Sequence, residues 1–196
     1  MEIDFVTSNP VKLRIANAVL HKYGISAKLK KMVLDEIQSL DTQKVALDKA
    51  KQAMDSSKHL FIVSDDGFFI TALGGFPGAL LKHVIKNLDN EQFIKLMKGE
   101  RNRNATFVNV IVFGNPKSRT FKVFQTMTKG RISDMPKGSR AIGWGIERIF
   151  IPNGSDKTLA FMNEREWQIF WKGYEKKLHY NKLGLWLQKQ YLRTQA

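Results

Sequence analysis

The sequence predicts a single α/β unit of 196 residues with a hairpin-rich second lobe. Three observations predict it. Strand-like and helix-like segments alternate along the first third of the chain. The run "LFIVS", Leu60 to Ser64, is fully apolar before its serine, as expected of a strand buried in the middle of an α/β sheet. Two β-rich runs flank "GNPKS", Gly114 to Ser118, and read as a long hairpin.

The elements follow in order. "EIDFV" is a first strand, "TSNP" a turn with a helix cap, and "VKLRIANAVLHKYG" a helix with a glycine stop. "ISAKLKKMVL" is predicted to return as a strand, "DEIQSLDT" is a polar loop, and "QKVALDKAKQAM" is a helix rich in Ala and Lys. After "LFIVS" the acids Asp65 and Asp66 are expected to close the strand. Gly74-Gly75-Phe76-Pro77-Gly78 then forms a rigid turn running into a helix that carries Lys82. "NEQFIKLMKG" is another helix, the hairpin follows, "GWGIERIFIPNG" is a turn and a strand, and the remainder is mostly helical. No linker, repeat or low-complexity segment divides the chain.

Composition narrows the chemistry. There is no cysteine, which excludes disulfides, thiolate metal sites and cysteine nucleophiles and fits a reducing cytoplasm. The four histidines, His21, His59, His83 and His179, are scattered, which argues against zinc. The start reads as a first strand and not as a signal peptide, and no window has the roughly 18 uninterrupted apolar residues of a membrane span. The net charge of +14 favours anionic partners: nucleotides, nucleic acid or acidic surfaces.

Three segments could carry chemistry. Thr7, Ser8, Asn9 and Lys12 lie where the first strand meets a helix, whose N-terminal N–H groups and partial positive charge suit a phosphate chain. It is equally an ordinary capped helix start. Glu36 and Asp65 each follow a strand, and two carboxylates with water and phosphate oxygens are what Mg²⁺ prefers. A solvated Asp-Asp-Gly turn is the plainer reading. Trp144, between Gly143 and Gly145, could lay its ring against a planar base or simply fill the core.

The ordered set "FVTSNPVK", "DEIQ", "DKAKQA", "SDDGFFITALGGFPGALLK", "TKGRI", "GWGIERIFIPNGSDKT" and "LHYNK" resembles the inosine triphosphate pyrophosphatase family, also called the Ham1 family. The resemblance covers most of the chain and implies an elongated, two-lobed mixed sheet flanked by helices, with a nucleotide cleft between the lobes. It also implies a homodimer and Mg²⁺-dependent hydrolysis of non-standard purine triphosphates such as ITP, dITP and XTP to monophosphate and pyrophosphate. Carried over by position, Thr7, Ser8, Asn9 and Lys12 would bind the triphosphate, and Glu36 and Asp65 would hold Mg²⁺. Lys49 and Lys82 would neutralise phosphate charge, and Asp65 would help activate the attacking water. Asp66, Trp144, Gly145, Glu147, His179 and Tyr180 complete the expected substrate contacts.

The chain departs from the family pattern at specific places. The acid before the metal-binding aspartate is Ser64, the Ser or Thr after it is Asp66, and an acidic helix position is Lys44. Gly-aromatic-Asp-Pro becomes Gly145-Ile146-Glu147-Arg148, and Ser-His-Arg becomes Leu178-His179-Tyr180. An upstream lysine falls near Tyr174, with Lys172 and Lys176 as possible substitutes. These changes leave a second reading open: a catalytically weak or inactive protein that holds nucleotides or RNA on the same scaffold.

Overall fold

The computed structural model describes residues 1–192, and its sheet carries the short strand β1 (Glu2–Val6) second from one edge. β2 (Ser26–Lys30) pairs with β1 in parallel on one side, and β3 (Phe61–Ile70) in parallel on the other. The β3 strand also carries the two-residue β4 (Pro77–Gly78) and the long antiparallel hairpin of β5 (Asn104–Asn115) and β6 (Thr120–Ile132), to which β7 (Phe150–Pro152) adds. The result is a mixed seven-stranded sheet in an α/β fold, as the sequence predicts.

Two strands end differently from expectation, for one reason. β2 stops at Lys30 because its only neighbour, β1, stops at Val6; residues 31–41 are therefore irregular rather than a continued strand. β3 does not end at the acids. It runs on through Asp65 and Asp66, which pair with Val110 and Asn109 of β5. On its other edge β3 loses β1 after Val63 and meets β4 only at Phe68. Ser64 to Gly67 thus form a stretch with no strand neighbour on that side among the described residues.

Helices cover both faces. α1 (Pro10–Leu20), capped by Asn9 with Pro10 in its first turn, buries Ala16, Val19 and Leu20 beside Phe5, Ile62 and Phe113. Tyr180, Leu183 and Leu187 of α6 (His179–Leu187) join the same cluster. On the opposite face α2 (Thr42–Ser56), capped by Asp41, sets Ala46, Ala50 and Ala53 against Val63, Val110 and Val112. Small residues let this helix lie close to the sheet. Gly67 serves the same approach, since a Cβ there would lie 2.4 Å from the Thr42 hydroxyl.

A third cluster gathers Phe68, Phe107 and Phe150 with Leu81 of α3 (Leu81–Val84) and Phe93 of α4 (Asn90–Leu96). Trp144, and Phe170 of α5 (Glu164–Lys177), touch both this cluster and the one under α1. The chain closes with a short π-turn at Gln188–Leu192. No helix among the described residues is long and apolar enough to cross a membrane.

Candidate active site

The unpaired edge of β3 opens into a cavity of about 640 Å³, walled by the β1–α1 loop, residues 32–36, α2, α3, Trp144 and the start of α6. Asp65 and Asp66 both reach it, although neighbouring side chains on a strand point to opposite faces, because the cavity wraps around the free edge. A larger hollow of about 790 Å³ lies between β6 and α5, and of the acids lining it, Asp156 and Glu166, the latter is paired with Lys157.

Lys49 organises one end. Its buried ammonium lies 2.7 Å from Asp65 Oδ1 and 2.8 Å from Glu36 Oε1. One cation thus joins an acid from the middle of a sheet to an acid from an irregular loop 29 residues earlier in sequence. Lys82 stands 3.5 Å from the same Glu36 oxygen, and His83 Nε2 lies 3.1 Å from Oε2. Burial alone would raise the Glu36 carboxyl, but Lys49, His83 and Lys82 outweigh it and hold the group at about 2. Burial pushes Asp65 up from its ordinary value against the pull of Lys49 and Lys12.

A lowered carboxyl pKa contributes stability that is complete above the unfolded value and is lost as pH falls through the folded one. Glu36 should therefore stabilise the fold above about pH 4.5, and this contribution should vanish toward pH 2. In urea unfolding, wild type should exceed Glu36→Gln at pH 6, and the gap should narrow at pH 3.5. A gap constant with pH would contradict the ion-pair account.

The second acid has other partners. Asp66 Oδ2 meets Lys12 Nζ at 2.9 Å, and Oδ1 accepts from Asn109 Nδ2 at 2.8 Å. The Asn109 carbonyl in turn accepts from the Tyr174 hydroxyl at 3.2 Å. Burial opposes ionisation of Asp66, yet Lys12 and Asn109 win and lower its pKa. Asn109 escapes sequence reasoning because it sits mid-strand without a motif of its own, and Tyr174, mid-helix, stands out there only as the place of an absent lysine.

The β1–α1 loop lines the cavity as expected through Thr7, Ser8, Asn9 and Lys12. Its helix terminus is not an open cradle, however. Asn9 Oδ1 already accepts from the N–H groups of Val11 and Lys12, and Pro10 has none to offer. Anion binding there falls to the Lys12 ammonium and to the loop itself.

Trp144 lines the cavity, its ring 4.7 Å from Phe107 and 6.0 Å from Tyr174. Glu147 and Gly145 do not. The Glu147 carboxylate turns under its own loop, where Oε1 accepts from the N–H groups of Ile142, Gly143 and Trp144. It thereby sets the position of Trp144. Gly145, at φ +79°, packs on Ile85, where a Cβ would come within 2.8 Å. Lys172 and Lys176 lie outside the cavity and replace nothing in it; Lys44 is exposed on α2.

His179 and Tyr180 are both buried in the cavity wall. Burial drives the imidazole down to about 3, so it is neutral at physiological pH, and neither ring nitrogen has a protein partner. Burial also raises both tyrosine hydroxyls, Tyr174 and Tyr180, so each stays protonated. The cavity therefore combines ammonium–carboxylate pairs with neutral aromatic rings, and the rings of Tyr174, His179 and Tyr180 lie close to the Lys12–Asp66 pair.

Could a divalent cation be held here? Asp65 Oδ2 is buried and accepts no hydrogen bond from the described residues, so it is an acceptor left without a donor. Among the described residues no third acid or histidine completes a protein-only cage. Two carboxylates plus water and ligand oxygens suit Mg²⁺, which rarely uses more.

Such a sheet, with Lys12, Lys49 and Lys82 facing acids in one cavity at its edge, defines an α/β protein with a charged, aromatic-walled cleft. The chain belongs to the Ham1 family, whose model matches residues 3–169. A dITP/XTP pyrophosphatase of Methanopyrus kandleri is 36% identical over 166 residues, 85% of this chain and 87% of that protein. One from Thermococcus kodakarensis is 35% identical over 166 residues, with 85% and 88% covered. The structure of the Staphylococcus aureus Ham1 protein superposes with a TM-score of 0.74 over 100% of both chains at 21% identity, a likeness of fold.

Proposed function

We propose that this protein is a Mg²⁺-dependent nucleoside triphosphate pyrophosphatase acting on non-standard purine triphosphates such as dITP and XTP. The observation that carries the reading is the meeting of Glu36 and Asp65 on the one ammonium of Lys49. The relatives named for dITP and XTP support the choice of substrate. The triphosphate lies along Lys12, Lys49 and Lys82 in the cavity at the free edge of β3, and the base lies against Trp144.

Mg²⁺ held by Glu36 and Asp65 supplies Lewis-acid stabilisation of the phosphoryl oxygens. Lys12, Lys49 and Lys82 neutralise the charge that grows on those oxygens. Asp65, whose pKa is raised by burial, orients a water and accepts its proton as the water oxygen bonds to the α-phosphorus. The bond from that phosphorus to the bridging oxygen breaks, so the products are a nucleoside monophosphate and pyrophosphate. The same resemblance leads us to expect a homodimer in the cytoplasm, and sedimentation reads the oligomeric state.

The test is a panel of dITP, XTP, ITP and the four common triphosphates with Mg²⁺ and pyrophosphate detection. Turnover of the inosine or xanthosine substrates at least about tenfold above ATP is expected. Nucleotide binding that survives chelation with no pyrophosphate from any substrate would replace this reading with that of a binding protein.

A further inference from the structure

The two oxygens of Glu36 face different partners. Oε1 meets Lys49 and Lys82, while Oε2 meets only His83 among the described residues, at 3.1 Å. Because the carboxylate is ionised it accepts and cannot donate, so His83 Nε2 must carry the proton and act as donor. The His83 side chain is 56% exposed and belongs to none of the three core clusters, so it has little packing role.

Glu36 needs an external hold. It lies in the irregular stretch 31–41, where no sheet ladder fixes the chain. Nearby, Gln52 of α2 clamps the Asp35 backbone, donating to its carbonyl at 2.9 Å and accepting from its N–H at 2.8 Å. This pins the main chain and leaves the glutamate side chain free to rotate. For a divalent cation to take Oε1, the Lys49 ammonium must leave that oxygen, since two cations so close on one acceptor repel strongly. At that moment Lys49 no longer orients Glu36. His83, on a different element and on the other oxygen, still can.

We propose that His83 is a positioning residue for the divalent cation: by donating to Oε2 of Glu36 it keeps Oε1 aimed at Asp65 while Lys49 gives up its place. The inference rests on the metal-dependent reading above. Hydrogen-bonded partners of metal ligands act in this way, fixing the ligand's orientation before the ion arrives. Lys82 cannot substitute, because it addresses the oxygen that the ion would use.

The experiment measures Mn²⁺ binding from the free-ion electron paramagnetic resonance signal. It uses the full chain, with and without an α,β-methylene analogue of ITP. His83→Ala should weaken binding by about 3- to 10-fold, less than for fully buried partners because His83 is half exposed. His83→Gln, which restores a donor, should recover most of the loss. The Mg²⁺ concentration for half-maximal rate should rise by the same factor in His83→Ala, with kcat at saturating Mg²⁺ unchanged. Thermal unfolding in EDTA should differ only slightly among the three proteins, since Lys49 still pairs with Glu36 when the half-exposed His83 contact is lost.

Equal Mn²⁺ affinity in wild type and His83→Ala would overturn the proposal, as would no Mn²⁺ binding by wild type in either state. A glutamine variant as weak as alanine would overturn it too. His83-dependent Mn²⁺ binding without any pyrophosphate release would leave His83 in its role and remove the enzymatic reading instead.

Discussion

Asp65→Asn should lower kcat/KM for dITP by about 10²–10⁴-fold while leaving the protein folded. The substitution keeps the size of the side chain and one carbonyl oxygen, so the Lys49 hydrogen bond at Oδ1 can persist. What it removes is the negative charge at Oδ2, the buried oxygen with no protein partner, which is the atom available to a cation or a water. An amide N–H₂ placed there would be a buried donor without an acceptor, costing about 1–3 kcal/mol. Losing a desolvated charge offsets part of that cost. The melting temperature in EDTA should accordingly move by only a few degrees while turnover collapses. Activity within tenfold of wild type would exclude Asp65 from the chemistry. Unfolding would place its role in the scaffold.

Lys49→Met should have the second largest effect, and a different signature. The ammonium is buried and neutralises two acids that otherwise face each other. Removing one partner of a buried pair leaves uncompensated charge, and the expected loss of stability in EDTA at pH 7 is about 2–4 kcal/mol, moderated by the partial exposure of Glu36. Asp65, already raised by burial, would rise further, and Glu36, still facing Lys82 and His83, would lose the strongest pull that lowers it. That penalty is present when they are ionised and is relieved as pH falls, so the difference from wild type should shrink between pH 7 and pH 4. Mg²⁺ or Mn²⁺ should restore stability by mass action, raising the melting temperature of the variant more than that of wild type. Turnover should still fall, because under the proposed function the lysine also serves the triphosphate. Equal stability of the two proteins in EDTA, with no added response to metal, would mean that Lys49 does not hold the acids together in solution.

Most of the secondary structure was legible locally. The cap in "TSNP" announces its helix because a short polar side chain satisfies the first free N–H groups, and Asn9 fills that place; Asp41, read as part of a polar loop, caps α2 in the same way. The hairpin around Gly114 to Ser118 was readable for a similar reason: β-rich runs separated by turn residues require no partner from elsewhere. The two strand ends were not legible. β2 ends where its neighbour ends, and β3 continues past two acids because β5 supplies hydrogen bonds to them. A strand boundary is a property of a pair, and the pair is not written in either segment.

The candidate site divides along the same line. Residue types and their order pointed to Lys12, Glu36, Lys49, Asp65 and Lys82, and the structure brings all five to one cavity. Glu147 was read as a substrate contact, yet its carboxylate caps the backbone of its own loop; which way a side chain turns depends on the donors around it. Asn109 and His83 gave no signal, and Tyr174 stood out only as the place of an absent lysine, since an isolated polar residue in a strand or helix acquires meaning only from what the fold sets opposite it.

By itself, the sequence determined the α/β class, the first helix cap, the hairpin and the kinds of group available for chemistry, because each depends on contacts within a few residues. Only the tertiary structure decided that Glu36 and Asp65 share one ammonium, that the cavity opens where β3 loses its neighbour, and that Asp66 belongs to Lys12. Charges interact across space with a strength set by distance and burial, and chain position specifies neither.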